Sequence, residues 1–145
     1  MKGTNRGIRL LAGTLAALLA AGGPIPLRAE ERELRISTPE QLAELSARCT
    51  RDSYSAGLRV VLTEDIDLTD IELAPIPSFS GEFDGAGHRI TGFSFTGSGS
   101  SQGLFRHLTP QAQVRRLTVE GELAPTGSQS ALGLVAGRNE GLIED

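Results

Sequence analysis

Asp84, His88 and Arg89 fall within one short stretch of the chain. An acid, an imidazole and a guanidinium so placed could serve acid–base work on a polysaccharide. The same residues also have a conformational use. Asp84-Gly85 and Gly87-His88 are turn dipeptides, in which aspartate bonds its own backbone and glycine takes positive φ. The turn reading stands first, because a short chain leaves little surface for a cleft of ~300 Å³. Asp65, Asp67 and Asp70 suggest calcium, a hard cation that takes six to eight oxygen ligands. Yet the glycine-bearing nonapeptide of calcium-binding β-rolls is absent, as is EF-hand spacing. Asp65 and Asp67 share one side of a strand and are expected to face solvent, opposite Ile66 and Leu68. His107 has no second histidine or cysteine at zinc-ligand spacing. Ser53, Ser98-Gly99-Ser100-Ser101 and Gly127-Ser128-Gln129-Ser130 read as flexible loops, and no GxSxG is present. Cys49 is the one cysteine, so no intramolecular disulfide can form, and a buried inert thiol near a helix end is expected. No catalytic, cofactor-binding or metal-binding residue is assigned, and no cofactor is expected.

The elements that would position these residues follow from a repeat. Gly81-Glu82-Phe83, Gly103-Leu104-Phe105 and Gly133-Leu134-Val135 open three similar blocks on a period of 22 to 30 residues. The first two continue into Ile90-Thr91-Gly92-Phe93-Ser94-Phe95 and Val114-Arg115-Arg116-Leu117-Thr118-Val119, both apolar-x-x-apolar-x-apolar. The third stops at Ile143-Glu144-Asp145. Such self-similarity marks a solenoid, whose units bury their apolar faces against one another. Short strands with glycine at the corners suit a parallel β-helix better than a sandwich. Like positions would then stack ~4.8 Å apart, placing Ile90 near Val114, Phe93 near Leu117 and Phe95 near Val119.

Upstream, Leu34-Arg35-Ile36 alternates like a brief strand. Thr38-Pro39-Glu40-Gln41 is a helix start: an N-cap threonine, proline at the first helical position and glutamine three residues after the cap. The helix is predicted over Pro39 to Arg48, with Leu42 and Leu45 on its apolar face and a capping role at the solenoid's first end. A turn at Ser53 to Gly57 precedes a strand at Leu58–Leu62 with Leu58, Val60 and Leu62 on one side. A second short strand follows at Ile66-Asp67-Leu68. Ile71, Leu73, Ile76 and Phe79 continue the apolar beat, with Pro75 and Pro77 excluding helix.

Lys2, Arg6 and Arg9 precede an apolar run from Leu10 to Ala21, the pattern of a secretory signal peptide. The run is shorter than the roughly 20 apolar residues of a bilayer span, so no stable membrane span is expected. Cleavage after Ala29 is the first choice and after Gly22 the second. The chain thus divides into a signal peptide (1–29), a linker and capping helix (30–57) and β-helix repeats (58–145). Eighteen glycines among 145 residues, five Phe and no Trp predict many turns around a narrow, mostly aliphatic core. A net charge of −4 supplies no cationic field, which argues against nucleic acid as a partner. Arg115-Arg116 reads as a solvated strand edge.

Val61-Leu62-Thr63-Glu64-Asp65-Ile66-Asp67-Leu68 resembles the "leucine, turn, Asp-Ile-Asp-Leu" strand that leads into the repeats of the GLUG-motif family of bacterial surface and secreted proteins. The run Phe79-Ser80-Gly81-Glu82-Phe83-Asp84-Gly85-Ala86-Gly87-His88-Arg89-Ile90 is similar to that family's F-x-G-x-F-D-G-x-G-H-x-I stretch. Gly133-Leu134-Val135-Ala136-Gly137-Arg138-Asn139-Glu140-Gly141 resembles its naming unit and the Asn-x-Gly turn that follows. Ala86 departs from the pattern where Asn is frequent, and Arg106 where the unit closes with glycine. The resemblance implies a right-handed parallel β-helix and an exported scaffold found in adhesins, large surface proteins and non-catalytic parts of secreted peptidases. It implies no reaction.

The reading is therefore an all-β, right-handed parallel β-helix with one N-terminal capping α-helix, exported to the bacterial surface or periplasm. It acts without catalysis in binding, adhesion or spacing, on a surface polysaccharide or protein, through the loops Gly97–Gln102 and Ala124–Ser130. The alternatives are the N-terminal part of a polysaccharide-active enzyme and the scaffold of a secreted peptidase. The unfinished third repeat predicts further repeats beyond Asp145, or edge-on self-association through Gly133 to Asp145.

Overall fold

Alternating apolar residues bounded by glycine turns give short strands here, and every pairing between them is parallel. The computed structural model describes residues 32–128 and 131–145. The expected signal peptide, 1–29, lies outside these residues, as do positions 129 and 130. In chain order the elements are β1 (Arg32–Ile36), α1 (Pro39–Arg48), α2 (Asp52–Ser55), β2 (Leu58–Leu62), β3 (Ile66–Asp67), β4 (Glu82–Asp84) and β5 (Arg89–Phe95). They continue with β6 (Ser101–Gln102), β7 (Phe105–Leu108), β8 (Gln113–Arg115), β9 (Thr118–Leu123), β10 (Ala131–Leu132), β11 (Ala136–Asn139) and β12 (Leu142–Glu144). The protein is mainly β, as expected.

Five strands pair in the order β1-β2-β4-β8-β12 and three in the order β3-β5-β9, while β6 pairs β10 and β7 pairs β11. From β2 to β5, successive strands fall alternately in the five- and three-stranded sheets. In the five-stranded sheet one residue per strand lines up, Leu34, Val60, Phe83, Val114 and Ile143. The middle three of this column are buried. Phe79, Phe83 and Phe105 cluster within a mostly aliphatic core that also buries Phe93, with ring centroids 5.3 to 6.1 Å apart and edge-on or tilted geometry. Such arrangements favour the aromatic quadrupole. A line of buried hydroxyls runs beside them: Ser80 N–H donates to Ser55 Oγ, and Thr109 Oγ1 donates to Ser80 Oγ, each at 2.9 Å.

The helix forms over the predicted residues. Thr38 Oγ1 accepts from Gln41 N–H at 3.3 Å, Pro39 opens the first turn, and Gln41 Oε1 reaches back to Ser37 N–H at 2.8 Å. Leu42 and Leu45 are buried, and Ser46 Oγ donates to the Ala74 carbonyl at 2.7 Å. Cys49 caps the helix C-terminus and is fully buried.

Three expectations change. The turn expected at Ser53 to Gly57 holds a second, short helix, α2. The strand before α1 begins at Arg32 and takes the outer place in the large sheet. The stacking register is also different. Ile90 stands beside Ile66 and Val119, not Val114; Phe93 stands beside Gly121, not Leu117; and Phe95 stands beside Leu123, not Val119. The cause is turn length. Gly85 to His88 separate β4 from β5, whereas only Arg116 and Leu117 separate β8 from β9. Val114 therefore belongs with Phe83 in the sheet before the turn. The Gly81 and Gly103 blocks, alike in sequence, consequently occupy different sheets. A bulge between Ile90 and Phe93, with Gly92 at φ 70°, absorbs one further residue of slippage.

Candidate functional site: the charged sheet face and its corner

The outward positions of the five-stranded sheet carry charges that alternate from strand to strand. Glu33, Arg59 and Glu82 form one line, and Asp84, Arg115 and Glu144 another. Arg59 bridges Glu33 at 3.1 Å and Glu82 at 3.4 Å. Exposed pairs of this kind contribute little each.

Asp84 is the exception, because its side chain is only 1% exposed. It ends β4, where the strand turns at Gly85. A Cβ on Gly85 would collide with the Arg116 carbonyl of the neighbouring strand segment. That close approach brings Arg116 over Asp84. Arg116 Nε donates to Asp84 Oδ1 at 3.1 Å, and its Nη2 donates to Oδ2. Arg59 Nη2 adds a bond at 3.2 Å, and Ala86 N–H donates to Oδ1 at 2.8 Å. Burial pushes the Asp84 carboxyl up, but bonding to Arg116 and Ala86 N–H and the charge of Arg59 outweigh it, holding it below the usual carboxylate range. Arg116 makes this clamp from a left-handed backbone, φ 50°. Arg116 is 55% exposed, in keeping with the solvated-edge reading of Arg115-Arg116, but it is also paired. The sequence marks no pairing here, because its partner lies one strand away.

The turn role of Asp84 is as expected, and it keeps Asp84 from joining His88 and Arg89. His88 Nδ1 instead meets Asp65 Oδ1 at 3.1 Å, with Arg89 N–H on the same oxygen at 3.1 Å. An ionised carboxylate only accepts, so His88 Nδ1 is the donor in this contact. The Arg89 guanidinium bonds Glu120 at 2.9 Å. The three candidate residues thus serve three different partners. Bonding from Arg89 N–H and then His88 holds the Asp65 carboxyl below its ordinary range.

The aspartates do not converge either. Asp67 accepts from the Thr69 hydroxyl and, at 2.9 Å, from Thr69 N–H, and Asp70 is exposed. Asp65 and Asp67 are exposed opposite buried Ile66 and Leu68, as expected. Among the described residues no three metal-ligating side chains gather. His107 is not alone: its Nε2 meets Glu140 Oε1 at 3.0 Å, and Glu140 also takes Arg138 at 2.8 Å. Burial pushes the Cys49 thiol up to about 11, which suppresses the reactive thiolate at neutral pH.

The surface holds larger concavities than chain length suggested. One groove of about 710 Å³ runs between residues 68–75 and 92–97, with Asp70, Glu72, Phe95 and Arg106 on its walls. A second, also about 710 Å³, follows the charged line through Arg59, Glu82 and Gln113. The first is a mixed trough, in which Leu68, Ile71, Leu73, Pro75 and Phe95 lie among the charged groups; the second is lined by carboxylate, guanidinium and amide side chains. No helix among the described residues is long and apolar enough to cross a membrane. No protein-family model matches the chain, and neither a curated protein nor a solved structure matches it.

Proposed function

We propose that this chain is an exported, non-catalytic module of the cell surface or envelope, built as a right-handed parallel β-helix of the kind its GLUG-like segments imply. It binds a surface polysaccharide or protein, or spaces other elements. The observation that carries the reading is the column Leu34, Val60, Phe83, Val114, Ile143, one residue from each strand of an all-parallel sheet. A column of that kind is how a solenoid buries its units. Right-handed crossover is the physical default for parallel strands. The groove lined in part by Asp70, Glu72 and Arg106 supports binding, and the dispersal of Asp84, His88 and Arg89 supports the absence of catalysis.

Cell fractionation with mass spectrometry of the N-terminus tests export. The product is expected outside the cytoplasm, beginning at Glu30 or, as second choice, at Gly23; an exported chain still beginning at Met1 overturns the signal-peptide reading. A saccharide array, run with the parent and with Glu72→Ala/Arg106→Ala, tests the groove. Binding is expected to weaken at least tenfold in the variant without release of sugar products. One observation favours the enzyme alternative, the carboxylate–imidazole pair Asp65–His88. Product release that His88→Ala abolishes would establish that alternative.

A further inference from the structure

The groove beside β5 exists because two stretches of the chain differ in length. After β3, residues 68–75 carry the chain to Ile76, which bridges Phe105. From the matching part of β5, the chain runs on through Phe95 and β6 before it reaches Phe105. The shorter path leaves the sheet early. Leu68 N–H still donates to the Thr91 carbonyl at 2.8 Å, but Ile71 N–H turns back to the Leu68 carbonyl at 3.0 Å. Asp67 takes the Thr69 N–H at 2.9 Å, and a Cβ on Gly92 would stand 2.7 Å from that same nitrogen. β3 therefore pairs with Ile90 and Thr91 only, and the chain from Phe93 to Gly97 overhangs it. Described residues form both walls of the resulting groove.

The overhang turns backbone groups into that groove. The Phe95 carbonyl accepts from Ala124 N–H at 2.9 Å, and the Gly97 carbonyl accepts from Thr126 N–H at 3.1 Å. Strand alternation then directs the N–H and C=O of Ser94 and Thr96 away from β9, to the side that β3 has left. Both residues are exposed, and no described residue pairs with them on that side. On the opposite wall Asp70 and Glu72 are exposed, and neither has a cationic partner among the described residues.

We propose that this groove takes an extended polypeptide strand, parallel to β5, in which apolar and basic side chains alternate. The inference deepens the binding reading above and rests on it for the use of this groove. A peptide residue opposite Phe95 would donate its N–H to the Ser94 carbonyl and accept from Thr96 N–H. Its side chain falls on the face of Phe95, which is half-buried beside Leu73 and Ile71 on the groove walls, so an apolar group fits. The residues before and after it face outward with Ser94 and Thr96, where lysine or arginine complements the Asp70 and Glu72 carboxylates. A saccharide does not present N–H and C=O groups at the strand repeat, so the edge favours polypeptide.

Fluorescence anisotropy on the purified chain tests this with a short labelled peptide alternating lysine and valine. The valines take the inward positions, so N-methylation of the valines removes the N–H groups given to β5, whereas N-methylation of the lysines leaves them. The unmodified and lysine-methylated peptides are expected to bind alike, and the valine-methylated peptide about tenfold more weakly. Thr96→Pro removes the edge donor but no bond to β9, and proline is tolerated where its missing N–H faces outward. It should weaken binding about tenfold as well; if it does not fold, the two methylated peptides decide alone. Asp70→Asn/Glu72→Gln should weaken binding and flatten its salt dependence. Absence of peptide binding overturns the proposal, as does equal binding of the valine-methylated peptide or by folded Thr96→Pro. Saccharide binding that Glu72→Ala/Arg106→Ala weakens, without peptide binding, would overturn it while leaving the binding reading of the groove in place. Peptide binding seen only after removal of residues 1–31 would assign the groove to that segment. Growth in mass with concentration in place of peptide binding would assign it to a second copy. Either result overturns the proposal.

Discussion

The two ends of the sheet stack treat their apolar side chains differently. At the first end α1 lies against the core, and Ile36, Leu42, Leu45 and Cys49 are all essentially buried. At β12, which is regularly hydrogen-bonded to β8, Leu142 and Ile143 are exposed, and with Leu132 of β10 they are the large apolar residues left exposed among the described residues. One neighbouring strand satisfies half of a strand's backbone groups. A side chain in the interior column needs a layer on each side to leave water. Hydrogen bonding and burial are thus separable along this chain, and only the first is achieved at β12.

Truncating side chains at the two ends and in the middle breaks the comparison most sharply. Phe83→Ala, which removes one ring of the three-phenylalanine cluster, is expected to cost about 3–5 kcal/mol. Leu45→Ala on the capping helix should cost about 2–5 kcal/mol. Ile143→Ala should cost less than about 1 kcal/mol when measured in dilute solution. Urea titrations of the three variants provide the check. An Ile143 loss that matches Leu45 in dilute solution would mean that the last end is as well covered as the first. A loss that grows with protein concentration would instead report burial by association.

A second, smaller effect separates the buried charge in the middle from the exposed pairs around it. Asp84→Asn keeps the shape but removes a charged acceptor of several hydrogen bonds, so it should cost about 2 kcal/mol at neutral pH. The folded-state pKa of Asp84 lies below its ordinary value. Its contribution is therefore complete above the unfolded pKa, about 3.9, and is lost as pH falls through the folded value. Thermal melts from neutral pH down to about 2 should show a shallower acid decline for Asp84→Asn than for the parent. Parallel declines would mean that the clamp by Arg116 and Arg59 does not hold the ionised form.

Local signals were read correctly because they act within a few residues. Thr38, Pro39 and Gln41 announced the helix start, the alternation of Leu58, Val60 and Leu62 announced β2, and Asp84-Gly85 announced a turn. Register was misread because it depends on turn length. The apolar-x-x-apolar-x-apolar pattern recurs on two sheets, and two extra residues between β4 and β5 decide which strand Val114 joins. The partners Asp65–His88, His107–Glu140 and Asp84–Arg116 were invisible for a related reason. Each pair joins residues 23 to 33 positions apart, a separation that only a stacked strand closes. The glycine at position 103 shows the same limit. Its sequence marks a turn, whereas its absent side chain admits the Gly133 carbonyl.

The smallest expected effect concerns the turn that misled the register. Ala86 sits between Gly85 and Gly87 with φ 52°, a left-handed conformation that its Cβ disfavours by roughly 1–2 kcal/mol. Its side chain is exposed, so packing does not oppose a change. Asparagine tolerates this region better, because its short polar side chain bonds locally. The Ala86 N–H bond to Asp84 Oδ1 is a backbone donation and survives the substitution. Ala86→Asn should therefore stabilise the protein by about 0.5 kcal/mol, a part of the strain that alanine carries. Ala86→Gly relieves the same strain but loosens the unfolded chain, so it should gain less. The ranking Asn, then Gly, then Ala in urea midpoint tests the cause. If glycine matched or exceeded asparagine, release of the Cβ alone would account for the gain, and local bonding by the asparagine side chain would play no part.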